Sequence, residues 1–92
     1  MIKSFRHKGV RQFFATGSTA GIQATHAPRL ARQLLVLNAA QSSQDMNLPG
    51  WQWHALKGDL AGPWSVKVSG NWRLTFTFVG EDAVLVDYQN YH

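Results

Sequence analysis

After Gly50 the sequence stops repeating like a helix and begins to alternate. In "WSVKVS", Trp64, Val66 and Val68 are separated by Ser65, Lys67 and Ser69; in "WRLTFTFV", Trp72, Leu74, Phe76 and Phe78 are separated by Arg73, Thr75, Thr77 and Val79. A strand turns successive side chains to opposite faces, so a period of two describes half-buried strands with one apolar and one polar face. "SGN" at 69–71 and "GED" at 80–82 are turn chemistry between such runs, which predicts three antiparallel strands in a meander, the last containing "AVLVDY". "WQWHALK" at 51–57, set off by the Gly- and Pro-bearing "GDLAGP", predicts a fourth strand.

Upstream the spacing is helical. Residues 6–16 carry Val10, Phe13 and Phe14, and Gly17 falls where a helix ends. A second helix is predicted from about His26 to Ala40: Thr25 is a candidate N-cap, Pro28 falls in the first turn, and Leu30, Leu34 and Leu37 recur on one side. "QSSQDMNLPG" is then a polar connection. The expected architecture is α+β, with two N-terminal helices packed on a mostly antiparallel, roughly four-stranded twisted sheet. At 92 residues, 45% hydrophobic and 12% aromatic, the chain is expected to form one domain over 1–92.

Composition removes several chemistries. With no cysteine, disulfides, thiolate nucleophiles and Cys-ligated zinc are excluded. The basic start "MIKSFRHKGVRQFF" has no uninterrupted apolar stretch or small-residue cleavage site, and no run approaches membrane-spanning length, so a cytoplasmic protein without a membrane partner is expected. His7, His26, His54 and His92 show no ligand spacing, so no metal site is predicted. Nor is there a paired-carboxylate signature, a Gly-rich phosphate loop or a nucleophile elbow.

The charge is informative by sign and by place. Nine Lys and Arg against five Asp and Glu give +4, and Lys3, Arg6, Lys8, Arg11, Arg29 and Arg32 all precede Asp45, the first acidic residue. Uncompensated cations of this kind suit a polyanionic partner. Arg73 and Lys67 alternate out of phase with the apolar set, so both should project from the sheet's polar face. His54 and Lys57, three apart, can converge only at a bulge or a strand end. Tyr91 and His92 follow an apolar strand and should emerge at its end.

Read end to end, the chain resembles the HigB-type toxins of the RelE/ParE superfamily, the plasmid maintenance system killer family. The resemblance is carried by "MIKSF.HKG" at the start, "HALKGD" at 54–59, "G.WSV.V..NWR.TF.F" at 62–78 and the closing "DY.NYH". It implies a RelE-like fold whose sheet is a concave, basic platform for RNA, and a ribosome-dependent endoribonuclease that cuts mRNA in the decoding site. It further implies a catalytic set matching His54, Lys57, Arg73, Asn90, Tyr91 and His92. The family commonly has an acidic residue where this chain has Asn90, and an amide can accept a hydrogen bond but carries no charge.

The chemistry so implied needs no cofactor and no metal. The ribose 2′-OH attacks the neighbouring phosphate, leaving a 2′,3′-cyclic phosphate and a 5′-OH. His92 is the first choice for the proton transfers and His54 the second, because imidazole populates both protonation states near neutrality. Lys57 and Arg73 would neutralise the transition state, and Tyr91 would stack on a base or hold the phosphate. Lys67, Arg29, Arg32, Lys8 and Arg11 are the expected RNA contacts. The partners implied are a HigA-like antitoxin, the small subunit of the ribosome and mRNA. A ParE-like gyrase poison, or a weak or non-catalytic member that binds RNA and antitoxin, would share the fold without needing the catalytic set.

Overall fold

The computed structural model describes residues 1–56 and 63–91. It has two α-helices, α1 (Lys8–Thr16) and α2 (Ala27–Ala39), two short 3₁₀ turns at Ala24–His26 and Ser43–Met46, and four strands. The strands are β1 (His54–Ala55), β2 (Trp64–Ser69), β3 (Trp72–Val79) and β4 (Asp82–Asn90), antiparallel throughout in the order β1-β2-β3-β4. The α+β class and the antiparallel meander predicted from the alternation are therefore present. No described helix is long and apolar enough to cross a membrane.

The helices do not lead the chain as the sequence suggested. Ile2 and Phe5 form parallel bridges to Ala83 and Val86 of β4, so a sheet-bonded segment precedes α1. The amides of Arg6 and His7 both donate to the Val86 carbonyl, which is why the helix begins at Lys8 and not at Arg6. His7 then caps α1, its Nδ1 accepting from the Val10 amide at 3.1 Å. Gly17 closes it in the left-handed region, donating to the Phe13 carbonyl.

Thr25 is not the N-cap of α2. The 3₁₀ turn at Ala24–His26 runs directly into the helix, so His26 holds the cap position with helical torsions and no side-chain cap bond, while Pro28 does lie in the first turn. On α2, Leu30, Gln33, Leu34 and Leu37 are buried at the i, i+3, i+4, i+7 spacing of one helix face. These leucines share a core with Trp64, Val66, Leu74, Phe76, Val86 and Tyr88, and each fully buried one stabilises by about 1.5–3 kcal/mol. Gln33, the polar member of the stripe, donates from Nε2 to the Lys67 carbonyl at 2.7 Å, which offsets its burial.

The fourth strand is shorter than predicted. Among the described residues only His54 and Ala55 join the ladder, opposite Ser65 and Trp64, and the strand starts late because Gln52 takes a left-handed φ of 50° that breaks the extended run. The Lys67 amide reaches past it to the Trp51 carbonyl. Both hairpins turn through two residues with a glycine at positive φ in first place, Gly70 between β2 and β3 and Gly80 between β3 and β4. Each carries a register shift: β2 gains a residue between Lys67 and Ser69, and β4 gains one opposite the Thr75–Thr77 stretch of β3, where Leu85 has φ 55°.

Candidate active site on the polar face of the sheet

Residues directly opposed across an antiparallel pair share a face, with Cβ atoms about 4.5–5.5 Å apart. The observed register therefore lays out two rows of polar side chains. One runs His54, Ser65, Thr75, Asp87 across all four strands; the other runs Lys67, Arg73, Gln89 across the last three. Tyr91 lies two residues beyond Gln89, held by its amide to the Asn71 carbonyl at 2.8 Å and 37% exposed. His54, Lys67, Arg73 and Tyr91 are thus brought to one face, as parity predicted for Lys67 and Arg73.

Within this layout His54 is exposed, and its Nδ1 is 3.0 Å from the Gln52 carbonyl oxygen. A carbonyl can only accept, so Nδ1 carries the proton and Nε2 is the basic nitrogen of the neutral ring. The left-handed turn at Gln52 that shortens β1 is what brings this carbonyl to the ring. The Ser65 hydroxyl lies 3.5 Å from both ring nitrogens.

Arg73 is half-buried between Lys67 and Gln89, and its Nη1 is buried without a hydrogen-bond partner among the described residues. The ion pair found among the described residues lies elsewhere, from the N-terminal amine to Asp82 at 3.8 Å. A guanidinium donor without an acceptor among the described residues leaves Arg73 with capacity for an anion that reaches it.

A cleft of about 540 Å³ opens beside these rows, and Arg6, Thr75, Thr77, Asp87, Gln89 and Tyr91 contribute to its lining. Arg6 comes from the segment bridged to β4. Asp87 is the acidic member of the two polar rows; Oδ1 accepts from the Tyr88 amide at 2.9 Å and Oδ2 from Gln89 Nε2 at 2.7 Å. Among the described residues no three His, Cys, Asp or Glu side chains converge as metal ligands would.

Other candidates are placed differently. Asn90 pairs with Trp72 and so shares the opposite face from Arg73 and Gln89. Arg29 is held inward, Nε donating to the Lys67 carbonyl at 3.1 Å and Nη2 to the Gly50 carbonyl at 2.8 Å. Lys8, Arg11 and Arg32 are exposed on α1 and α2, away from the polar rows. Lys57 and His92 lie outside the described residues.

Ser65 and Thr75 were legible as members of the face, each two residues from a basic candidate of the same parity. Asp87 was not. Counting by twos from Ala83 puts Asp87 on the core side, and only the extra residue at Leu85 turns it outward. Arg6 had no local signal, because a parallel bridge between the two ends of a chain leaves no trace in spacing.

The chain is thus a small α+β protein whose antiparallel sheet presents Lys67 and Arg73 beside a cleft. A family model described as "RelE-like toxin of type II toxin-antitoxin system HigB" matches residues 3–92. The chain is 40% identical over 92 residues to "Endoribonuclease HigB" of Proteus vulgaris, covering all of both sequences. It is 32% identical over 81 residues to "Toxin HigB-1" of Vibrio cholerae serotype O1, covering 86% of this chain and 85% of that protein. The chain belongs to the HigB family of RelE-like toxins of type II toxin–antitoxin systems.

Proposed function

We propose that this HigB-family toxin is an endoribonuclease that cuts mRNA in the ribosomal A site. The enzyme class rests on the full-length relative named an endoribonuclease. The observation that carries the site is Arg73, which shares a face with His54 and Tyr91 and whose Nη1 has no hydrogen-bond partner among the described residues. A scissile phosphate seated over Arg73 would receive its fork of donors as charge develops on the equatorial oxygens, and Lys57 would add a second cation.

The reaction is attack by the ribose 2′-OH on the adjacent phosphorus, with loss of the 5′-oxygen, giving a 2′,3′-cyclic phosphate and a 5′-OH. One group must take the 2′-OH proton and another must protonate the leaving oxygen. Nε2 of His54, basic while Nδ1 donates to Gln52, suits the first role, and His92 suits the second. Tyr91 stacks on a neighbouring base, and Asn90, on the other face, takes no part in proton transfer. The nucleophile comes from the RNA, so the step is written without a metal. In this reading residues 1–92 act as one toxin domain in the cytoplasm, neutralised by a HigA-like antitoxin, and Lys8, Arg11 and Arg32 meet ribosomal RNA while Lys67 meets the message.

The test incubates purified toxin with programmed ribosomes and with naked mRNA, in a chelator concentration that leaves ribosomes intact, and maps 5′ ends. Cleavage confined to the A site with 5′-OH termini is expected, and His92→Gln should lower its rate by roughly 10²–10⁴ with ribosome binding retained. Equal cleavage of naked RNA, or DNA breaks without RNA cleavage, would refute the reading.

A further inference from the structure

The bulge at Leu85 turns Asp87 into the row that also holds His54, Ser65 and Thr75, beside Lys67 and Arg73 and away from Asp82, which lies at the hairpin end of the same face opposite Val79. A carboxylate there repels phosphate, so its place on an RNA-binding face calls for another partner. Oδ1 and Oδ2 each use one lone pair on a local donor, the Tyr88 amide and Gln89 Nε2, which fixes the carboxylate and leaves each oxygen further acceptor capacity. With its Nε2 given to Asp87, Gln89 also offers an acceptor, its Oε1. The pair thus presents acceptors in a cleft of about 540 Å³, room for a nucleotide, with Tyr91 lining it as a stacking surface and Arg6 as a phosphate partner.

We propose that Asp87, oriented by Gln89, is a specificity-determining residue that accepts a hydrogen bond from the exocyclic amino group of a nucleobase beside the cut. Adenine, cytosine and guanine carry such a group on the Watson–Crick edge that single-stranded RNA exposes. Uracil replaces it with a carbonyl, an acceptor facing an acceptor, and a buried polar edge left unmatched is what makes discrimination strong. The inference rests on the endoribonuclease reading above and adds to it a base-reading role for a residue outside the expected catalytic set.

The experiment measures cleavage rates on programmed ribosomes with messages that differ at single positions within two nucleotides of the cut. Each position carries A, C, G or U in turn, or purine riboside, which is adenosine without its amine. The wild-type toxin should cleave the uracil and purine-riboside messages about tenfold more slowly than the adenine message at one of these positions. Asp87→Asn, which keeps an oxygen for the Tyr88 amide, should bring the four bases to within about threefold, chiefly by lowering the rates on adenine, cytosine and guanine relative to uracil. Asp87→Ser should do the same. A wild-type enzyme indifferent to the amine at every position would overturn the proposal while leaving the nuclease reading intact. So would equal loss on all messages by a variant that melts with the wild type. Absence of cleavage by the wild-type toxin would sink both.

Discussion

Arg29 and Arg32 lie one helical turn apart in the uncompensated basic half, and charge alone makes them equivalent RNA contacts. The fold separates them. Arg29 donates to two backbone carbonyls, Lys67 at 3.1 Å and Gly50 at 2.8 Å, and so ties α2 to β2 and to the loop before β1. Arg32 is exposed and makes no such bond among the described residues. A hydrogen bond from a charged donor is worth about 1.5–3 kcal/mol when buried. Here the Gly50 bond is exposed and the Lys67 carbonyl keeps the Gln33 donor at 2.7 Å, so Arg29→Ala should cost about 1–2 kcal/mol. For a chain of this size that lowers Tm by about 5–15 °C. Arg32→Ala should stay within about 0.5 kcal/mol of wild type. Ribosome association gives the opposite order: the slope of log K against log salt should fall by roughly 0.7–0.9 for Arg32→Ala and stay unchanged for Arg29→Ala. Urea and thermal melts paired with a salt titration measure both. An Arg29→Ala protein that melts with the wild type and loses salt dependence would refute the structural assignment and return Arg29 to the RNA-binding set.

Arg73→Ala should lower the cleavage rate by about 10²–10³ and ribosome affinity far less, since the missing donor matters most in the transition state; single-turnover rates beside binding curves check the split, and equal losses would make Arg73 a docking residue. Gly9→Ala should destabilise by about 3 kcal/mol, because a Cβ there would collide with the Gly21 carbonyl oxygen and the obstacle is backbone. A melting temperature near wild type would contradict that contact. Burial raises the pKa of the Tyr88 hydroxyl above its ordinary 10.0, with its bond to the Gln23 amide opposing in part. The unfolded chain then ionises first, so this contribution is fully present below pH 10.0 and is lost as pH rises through the folded pKa. Urea midpoints should fall across that range, and Tyr88→Phe should flatten the decline.

Much of the architecture was legible because it is written locally. Alternation in 64–69 and 72–79 predicted β2 and β3 with the correct inward set, and glycine turn chemistry placed both hairpins. Leu30, Leu34 and Leu37 gave α2 its buried side. Where the reading failed, a distant group had taken a hydrogen bond. The start of α1 moved because Arg6 and His7 donate to Val86, and β1 shrank because Gln52 turns left-handed while Lys67 bonds to Trp51. The same holds at the site. Arg73 and Lys67 share the face that their parity predicted, whereas Tyr91 joins them only through the bulge in β4 and Asn90 pairs with Trp72 on the other face.

By itself the sequence determined which side chains are apolar at period two or 3.6, where the chain turns, and a motif set that spans the HigB family from end to end. These are properties of residues and near neighbours, so they survive without a third dimension. Only the tertiary structure decided that Asp87 looks outward, that Arg6 borders the cleft, that Arg29 is bound inward and that Arg73 holds a donor without an acceptor among the described residues. Each depends on a register shift or a bond between residues far apart in the chain, and one inserted residue in a strand reverses every face beyond it.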